Sequence, residues 1–408
     1  MSGARYLGEN LSRRKKLTYI LVLGTLTALG PFTTDMYLPA FPAIQQQFGV
    51  SEADVQLTLT GTMVGFAVGQ LLIGPLSDKI GRKPPLVACA ALHIGASVGA
   101  AVAPSIIWLG VFRVGMGFGA AASGVVSTAM VRDLFGGRPL VKMMSRLALV
   151  NGLAPVIAPI AGSQLLAVMN WQGIFWVLAS YGALVTVAAM VFIRETLTPE
   201  KRKASGRSFA DRYRVLFGDR VYVGMLVMAG MNFTGLFAYL QTSPFLFQDV
   251  YGMSEQGYGL LFAVNSLAVI IGVQTSSRLM HLGVLKPQWI LATTTSAQII
   301  LGSLMVVFDV VGLGFWGIAV PLWFFILACG FTFPTVQIVA LAEHGEEAGT
   351  AASLVGATNF GMAGILSPII GLFGVTNAVP MGGMIVIAAT ISATVLWLVV
   401  RPKTLDVL

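Results

Sequence analysis

The apolar positions of this chain come in long unbroken runs, not in the stagger of a soluble amphipathic helix or the alternation of a half-buried strand. With approximate ends, the runs cover 17–43, 56–76, 85–103, 106–130, 144–169 and 173–193. After a polar stretch they cover 221–247, 257–280, 287–308, 312–341, 350–374 and 377–400. At a rise of about 1.5 Å per residue, about 20 helical residues cross a hydrocarbon layer about 30 Å thick. Lipid offers no partners to backbone N–H and C=O groups, and none of the runs alternates like a barrel strand. Helix is therefore the expected form of all twelve. The pattern predicts an all-α polytopic membrane protein of twelve transmembrane helices in two six-helix bundles, residues 1–193 and 221–408, joined by a polar linker over 194–220.

Composition agrees with this picture. Of 408 residues, 56% are hydrophobic and 10% charged, whereas soluble domains carry about a quarter charged residues. The few charges are placed with a strong bias. If the N-terminus is cytoplasmic and the spans alternate, 24 of the 25 Lys and Arg fall in cytoplasmic segments and none in outer loops. That bias is the expected signature of orientation, and puts both termini on the cytoplasmic side. It also accounts for the net charge of +8 as charge facing anionic lipid, which excludes a nucleic-acid partner. The cluster Arg13-Arg14-Lys15-Lys16 precedes an apolar run with no small-residue cleavage site, so that run is expected to be a retained span. One cytoplasmic segment, 342–349, is acidic (Glu343, His344, Glu346, Glu347); acids matter little to orientation and suit the start of a helix. Cys89 and Cys329 both lie in apolar runs and are expected to pack as core residues, with no disulfide and no metal. No phosphate-binding Gly-Lys loop, metal-type His cluster or nucleophile elbow is present, so an enzyme is not expected.

The tightest local signal joins spans two and three: Gly74-Pro75-Leu76-Ser77-Asp78-Lys79-Ile80-Gly81-Arg82-Lys83-Pro84. Glycines at both ends allow a tight turn and close helix approach, and an acid and three bases within six residues suit a fixed ionic cluster. In span four, Arg113-Val114-Gly115-Met116-Gly117-Phe118-Gly119-Ala120-Ala121 sets one arginine among small residues. In span five, Pro155, Pro159 and Gly162 combine freed carbonyls with close packing, a plausible hinge. These three stretches resemble the signature loop, the buried-arginine motif and the Pro-Gly antiporter motif of the major facilitator superfamily. The run Asp35-Met36-Tyr37-Leu38-Pro39-Ala40-Phe41-Pro42 is similar to the first span of its bicyclomycin-resistance (Bcr/CflA-type) branch of multidrug exporters. Arg132-Asp133-Leu134 and Gly349-Thr350-Ala351-Ala352-Ser353-Leu354 agree with that branch. Related exporters carry a second acid two turns before the aspartate; Thr27 stands there in this chain, which puts a two-acid mechanism in doubt.

Asp35 and Arg113 are the two ionisable residues well inside spans, where such groups are expensive and mark function. Asp35 lies ten residues before Gln45 at the outer end of span one, and Arg113 eight residues after Ser105 at the outer start of span four. The rise per residue therefore puts them at similar depth. Burial disfavours an ionised carboxylate while a neighbouring guanidinium favours it, so Asp35 is the expected proton-coupling site and Arg113 its tuner. A permanent ion pair between them is the structural alternative. Asp78 is expected near the start of span eleven at Gly349, and Arg82 against Asp133. Together with Gly74 and Gly81 these form a latch expected to hold the cytoplasmic side in one state and break in the other. Thr34, Asp35, Met36, Arg113, Asn151, Asn232, Phe233, Phe237 and Gln241 are the candidate substrate-binding residues, since apolar walls with few polar anchors suit lipophilic ligands. His93 in span three is expected to be a satisfied core histidine.

The expected function is proton-coupled export of small, largely lipophilic drugs, of chloramphenicol or bicyclomycin type, across a bacterial inner membrane by alternating access. The protein would act as a monomer with no cofactor beyond the proton gradient. Transport of a physiological metabolite such as a sugar or amino acid is the alternative.

Overall fold

The computed structural model describes residues 12–197, 209–344 and 347–404. Residues 198–208 of the predicted linker and Glu346 lie outside the described residues. Twelve helices have the length and apolarity to cross a membrane, and no strand occurs among the described residues. In chain order they are α1 (Arg13–Asp35), α2 (Glu52–Ile80), α3 (Lys83–Ala101), α4 (Ile106–Leu134), α5 (Gly137–Leu166) and α6 (Trp171–Phe192). Then come α7 (Arg220–Phe245), α8 (Glu255–His281), α9 (Pro287–Val310), α10 (Gly314–Leu341), α11 (Ala348–Leu366) and α12 (Val379–Val395).

Several helices outrun their apolar windows. α2 starts four residues before its hydrophobic run and stops four after it, because polar ends can continue the helix where headgroups and water begin. Ser51 caps its first turn in a box with Asp54, each side chain meeting the other's backbone N–H, as satisfies a helix N-terminus. Span one departs from the expected single helix. Pro39 and Pro42 lack the N–H that would bond the carbonyls of Asp35 and Leu38. α1 accordingly ends at Asp35, and the chain passes through a short 3₁₀ turn at Leu38–Ala40 into a separate helix, Phe41–Phe48. That turn is buried, which is where irregular backbone is tolerated at membrane depth.

Helix pairing follows one scheme twice. In the first six, α1 packs on α4, α5 and α6, α2 on α4, and α3 on α4 and α6; adding six to every number gives the second set. Between the sets, α2 lies along α11 and α5 along α8, a pairing that is itself two-fold. At one end of the molecule the two sets are sealed. The side-chain amides of Gln56 and Gln241 each reach the other's backbone carbonyl, Gln248 donates to the Pro39 carbonyl, and the Phe41 and Phe245 rings lie 5.6 Å apart. At the other end, which carries the basic loops, the sets diverge around a cavity.

Candidate functional site

The cavity has a volume of about 1480 Å³ and is walled by α1, α2, α4, α5, α7, α8, α10 and α11. It extends from Thr27 and Asp35 in the interior to Asp78, Arg132, Arg146 and Glu347 at the basic-loop end. Ligand pockets commonly hold about 300–1,000 Å³, so this one exceeds what a single drug-sized molecule fills. Its inner wall is aromatic and joins both helix sets: Phe66 of α2 stacks on Phe360 of α11, and Phe233 meets Phe360 edge-on and stacks on Phe237.

Asp35 is on this wall and is 6% exposed. Thr34 donates its hydroxyl to the Asp35 carboxylate at 2.8 Å. Arg113 lies behind the wall, wholly buried, and is not on the cavity surface. Its Nη1 donates to the Thr33 carbonyl at 2.6 Å, and its guanidinium carbon is 4.2 Å from the Tyr37 ring centroid, within cation–π range. The ring is held in turn: Tyr37 Oη and Thr58 Oγ1 of α2 are 2.7 Å apart. The two charges thus share a depth, as the residue counting predicted. Among the described residues, however, no ion pair joins Asp35 to Arg113. The arginine neighbours the aspartate through Thr33 and Tyr37 of the same helix end, so a permanent ion pair is not what holds α1 to α4. Two donors of Arg113, Nε and Nη2, have no hydrogen-bond partner, an arrangement that carries a cost when buried.

Close backbone approach makes room for this pair. Gly162 of α5 faces the Met36 carbonyl so closely that no Cβ could be inserted, which seats α5 against the break in α1. Pro159, lacking an N–H, leaves the Pro155 carbonyl free, and Ser266 of α8 donates its hydroxyl to it at 3.1 Å. Of the residues predicted as a hinge, Pro155 and Pro159 therefore lie at the contact between the two helix sets while Gly162 packs within the first, and the partner Ser266 carries no sequence signal of its own.

Of the other candidate binding residues, Thr34, Asn151, Phe233 and Phe237 line the cavity. Met36, Asn232 and Gln241 do not. The Met36 carbonyl faces Gly162 of α5, Asn232 lines a smaller adjoining pocket, and Gln241 belongs to the seal, about one turn beyond Phe237. Thr27 is on the cavity surface and spends its hydroxyl on the Gly24 carbonyl at 2.8 Å. His93 is fully buried, with Nε2 2.9 Å from Thr33 Oγ1, while its Nδ1 has no partner; it is only half satisfied.

At the basic-loop end, Gly81 turns the chain with φ 107°, a region that favours glycine. Arg82 pairs with Asp133 at 2.9 Å and with Asp78, and donates to Ser77 at 2.8 Å. These contacts lie within the first helix set and are intact while the cavity is open beside them. Arg82–Asp133 thus joins parts of one helix set, so a separation of the two sets does not by itself pull it apart. Asp78 and Gly349 both border the cavity, on opposite helix sets, and no hydrogen bond between them is formed. Glu195, which carried no motif, accepts from the backbone N–H groups of Arg82 and Lys83 at 2.9 and 3.0 Å, closing the first turn of α3. Burial pushes its carboxyl up, but the N–H groups of Leu197, Arg82, Lys83 and Thr196 together hold it below the ordinary value. Among the described residues no group of His, Cys, Asp and Glu has the arrangement to hold a metal.

A membrane-spanning chain of paired six-helix sets, with a central cavity bordered by a buried acid, has the architecture of a solute transporter. The family model described as Major Facilitator Superfamily matches residues 23–368, and the chain belongs to that superfamily. It is 33% identical to an uncharacterised MFS-type transporter, YdgK, of Bacillus subtilis, covering 94% of this chain and 96% of that one. It is 32% identical to a bicyclomycin resistance protein homologue of Haemophilus influenzae, covering 90% and 92%. Among solved structures, the D-xylose-proton symporter superposes with a TM-score of 0.72 at 15% identity, over 96% of this chain and 99% of that one; at this identity the likeness concerns the fold.

Proposed function

We propose that this transporter is a proton-coupled antiporter that exports small, largely lipophilic drugs, of chloramphenicol or bicyclomycin type, across a bacterial inner membrane. The observation that carries the reading is Asp35, a carboxyl on the inner, aromatic part of the cavity wall, away from Asp78, Asp133 and Glu347 at the basic-loop end, with a buried cation behind it and no direct pair to lock it. An acid so placed can exchange a proton with the cavity and respond to what the cavity holds. The kinship with a bicyclomycin resistance protein homologue and with proteins named multidrug resistance protein MdtL, 27% identical over 340 residues, supports a drug as cargo. The basic-loop end is the cytoplasmic one by the distribution of Lys and Arg, so the cavity faces the cytoplasm and the Gln56–Gln241 seal faces outward. Protons arriving from outside load Asp35 in the opposite state, the sets rock about the aromatic wall, and the deprotonation that follows inside readies the site for the next drug. Arg113 tunes Asp35 throughout and, keeping its own charge, carries no proton. The chain acts as a monomer, with the proton gradient as its only energy source.

A second reading, uptake or export of a metabolite, draws on the amides along the cavity: Gln70, Asn151, Asn265, Gln274 and Gln337 could meet sugar hydroxyls. The aromatic wall and the absence of Trp from the cavity lining favour the first. A resistance profile of cells expressing the chain, with and without an uncoupler, separates the two. The expected result is raised resistance to several lipophilic drugs that the uncoupler abolishes; growth on a metabolite with no change in drug tolerance contradicts it.

A further inference from the structure

The cavity wall changes character along its depth. Phe66, Phe233 and Phe360 form its inner part, and Asp78, Arg132, Arg146 and Glu347 stand at the basic-loop end. Four neutral amides lie between: Gln70 of α2, Asn151 of α5, Gln274 of α8 and Gln337 of α10. Asn151, Gln274 and Gln337 are exposed and Gln70 is half-buried, so all four present surface to the cavity they line. No hydrogen bond to another described residue occupies any of them. Asn265, which also borders the cavity, is by contrast buried and spent on Tyr239.

Helical rise fixes their level. Gln70 follows Phe66 by four residues and Gln337 follows Phe333 by four, on helices that both run toward the basic-loop end. Each amide therefore lies on the same face as an aromatic ring of the wall and about 6 Å nearer the mouth. Gln70 reaches α11, its Oε1 lying where a Cβ on Gly356 would stand, and Gln337 borders the small adjoining pocket that Gly356 also lines. These two amides thus flank one seam between the helix sets. At the other seam Gly152 faces Ile270, with Asn151 beside the first and Gln274 one turn beyond the second. The charges begin further out: Asp78 follows Gln70 by about 12 Å, and Arg146 precedes Asn151 by about 7.5 Å.

We propose that this belt of amides is a subsite for the uncharged hydrogen-bonding part of an amphipathic substrate, whose apolar part lies on the aromatic wall. A side-chain amide both donates and accepts, so amides from both helix sets receive hydroxyl, carbonyl or N–H groups in more than one orientation. They offer a formal charge no counter-ion; a charged group finds opposite charges only at Asp35 or at the mouth. An offset of about 6 Å between ring and amide suits an aromatic ring bearing a short polar chain. The inference rests on the drug-export reading and deepens it: Asp35 supplies coupling, the aromatic wall holds the apolar part, and the belt supplies selectivity for the polar part. A site that hydrogen-bonds a substrate group discriminates against analogues lacking it far better than an apolar wall does.

The test uses the full-length protein in detergent and measures Kd for chloramphenicol and for its 1,3-diacetate, which keeps the ring and the amide but masks both hydroxyls. The wild type is expected to prefer chloramphenicol about five- to tenfold, as one or two neutral hydrogen bonds would give. Two double variants probe the seams separately: Gln70→Leu with Gln337→Leu, and Asn151→Leu with Gln274→Leu. Neither breaks a hydrogen bond between described residues, and at least one is expected to bring the preference to within about twofold. Tetraphenylphosphonium, which has no hydrogen-bonding group, is expected to bind both variants as it binds the wild type. No preference in the wild type, or an undiminished preference in both variants, overturns the belt as a subsite and leaves drug export standing. If neither chloramphenicol nor tetraphenylphosphonium binds the wild type, the drug-export reading falls and takes the subsite with it.

Discussion

In the first helix set the interior polar groups include ions: Asp35, Arg113 and, beside them, the half-satisfied His93, with three of their donors or acceptors unpartnered. In the second set, the buried polar groups on α7 to α10 are neutral and nearly all form at least one side-chain hydrogen bond, although Asn232 keeps an unpartnered amide donor. Gln298 meets Asn232, Asn265 donates to Tyr239 at 3.1 Å, Tyr258 and Ser243 lie 2.9 Å apart, and Ser276 and Thr335 likewise. The pairing of helices is the same in both. What differs is how burial of polarity is resolved: neutral hydrogen bonds contribute to holding a bundle together, whereas a buried charge short of partners is a strained state that a proton or ligand can relieve. On the proposed reading, the same frame yields one bundle suited to respond to protonation and another that supplies shape.

The sharpest way to break this contrast is to delete one polar group on each side. Arg113→Leu removes a charge whose burial costs about 2.5–3.5 kcal/mol and leaves the Thr33 carbonyl unpaired at about 1–3 kcal/mol. These terms oppose each other, so the variant is expected to fold with near-native thermal stability and to export nothing. Tyr258→Phe, which leaves Ser243 without its partner, is expected to cost about 1–3 kcal/mol of stability and to leave coupling unchanged. Melting in detergent together with transport in proteoliposomes reads both. A stability loss at Arg113 with transport retained would reverse the assignment of roles.

A smaller effect concerns the clamp around α3. The Glu195 carboxyl is held below its ordinary value of 4.5, so its stabilising contribution is present at neutral pH and fades as the pH falls from there through the lower folded value. Glu195→Gln is expected to lower the melting temperature at neutral pH, with the gap to wild type closing as the pH falls through the lowered folded value. A gap independent of pH would show that the side chain acts there by packing and not by charge.

The spans and the shared depth of Asp35 and Arg113 were legible in the sequence because both follow from cost. A bilayer demands long apolar helices, and an ion inside one is rare enough to stand out. Neutral residues carry no such mark. Asn151 and Gln241 look alike in the chain, yet one lines the cavity and the other seals the far end, since only packing decides which way a helix face turns. The break at Asp35 was written in Pro39 and Pro42, but its consequence, an arginine held by the Tyr37 ring and not by the carboxylate, depends on where α2 and α4 approach. Arg82 and Asp133 meet as their charges suggest; that the pair sits within one helix set is a matter of three-dimensional grouping. Glu195 and Ser266 act on backbone groups four helices away or across the molecule, and no local motif announces such contacts.

The most direct measurement of the central claim is proton release from detergent-solubilised protein on addition of a bound drug, followed across pH. The account predicts release by the wild type within a limited pH window and none by Asp35→Asn, with drug still bound by the variant. Undiminished release from Asp35→Asn would contradict it, and would move the proton site elsewhere in the chain.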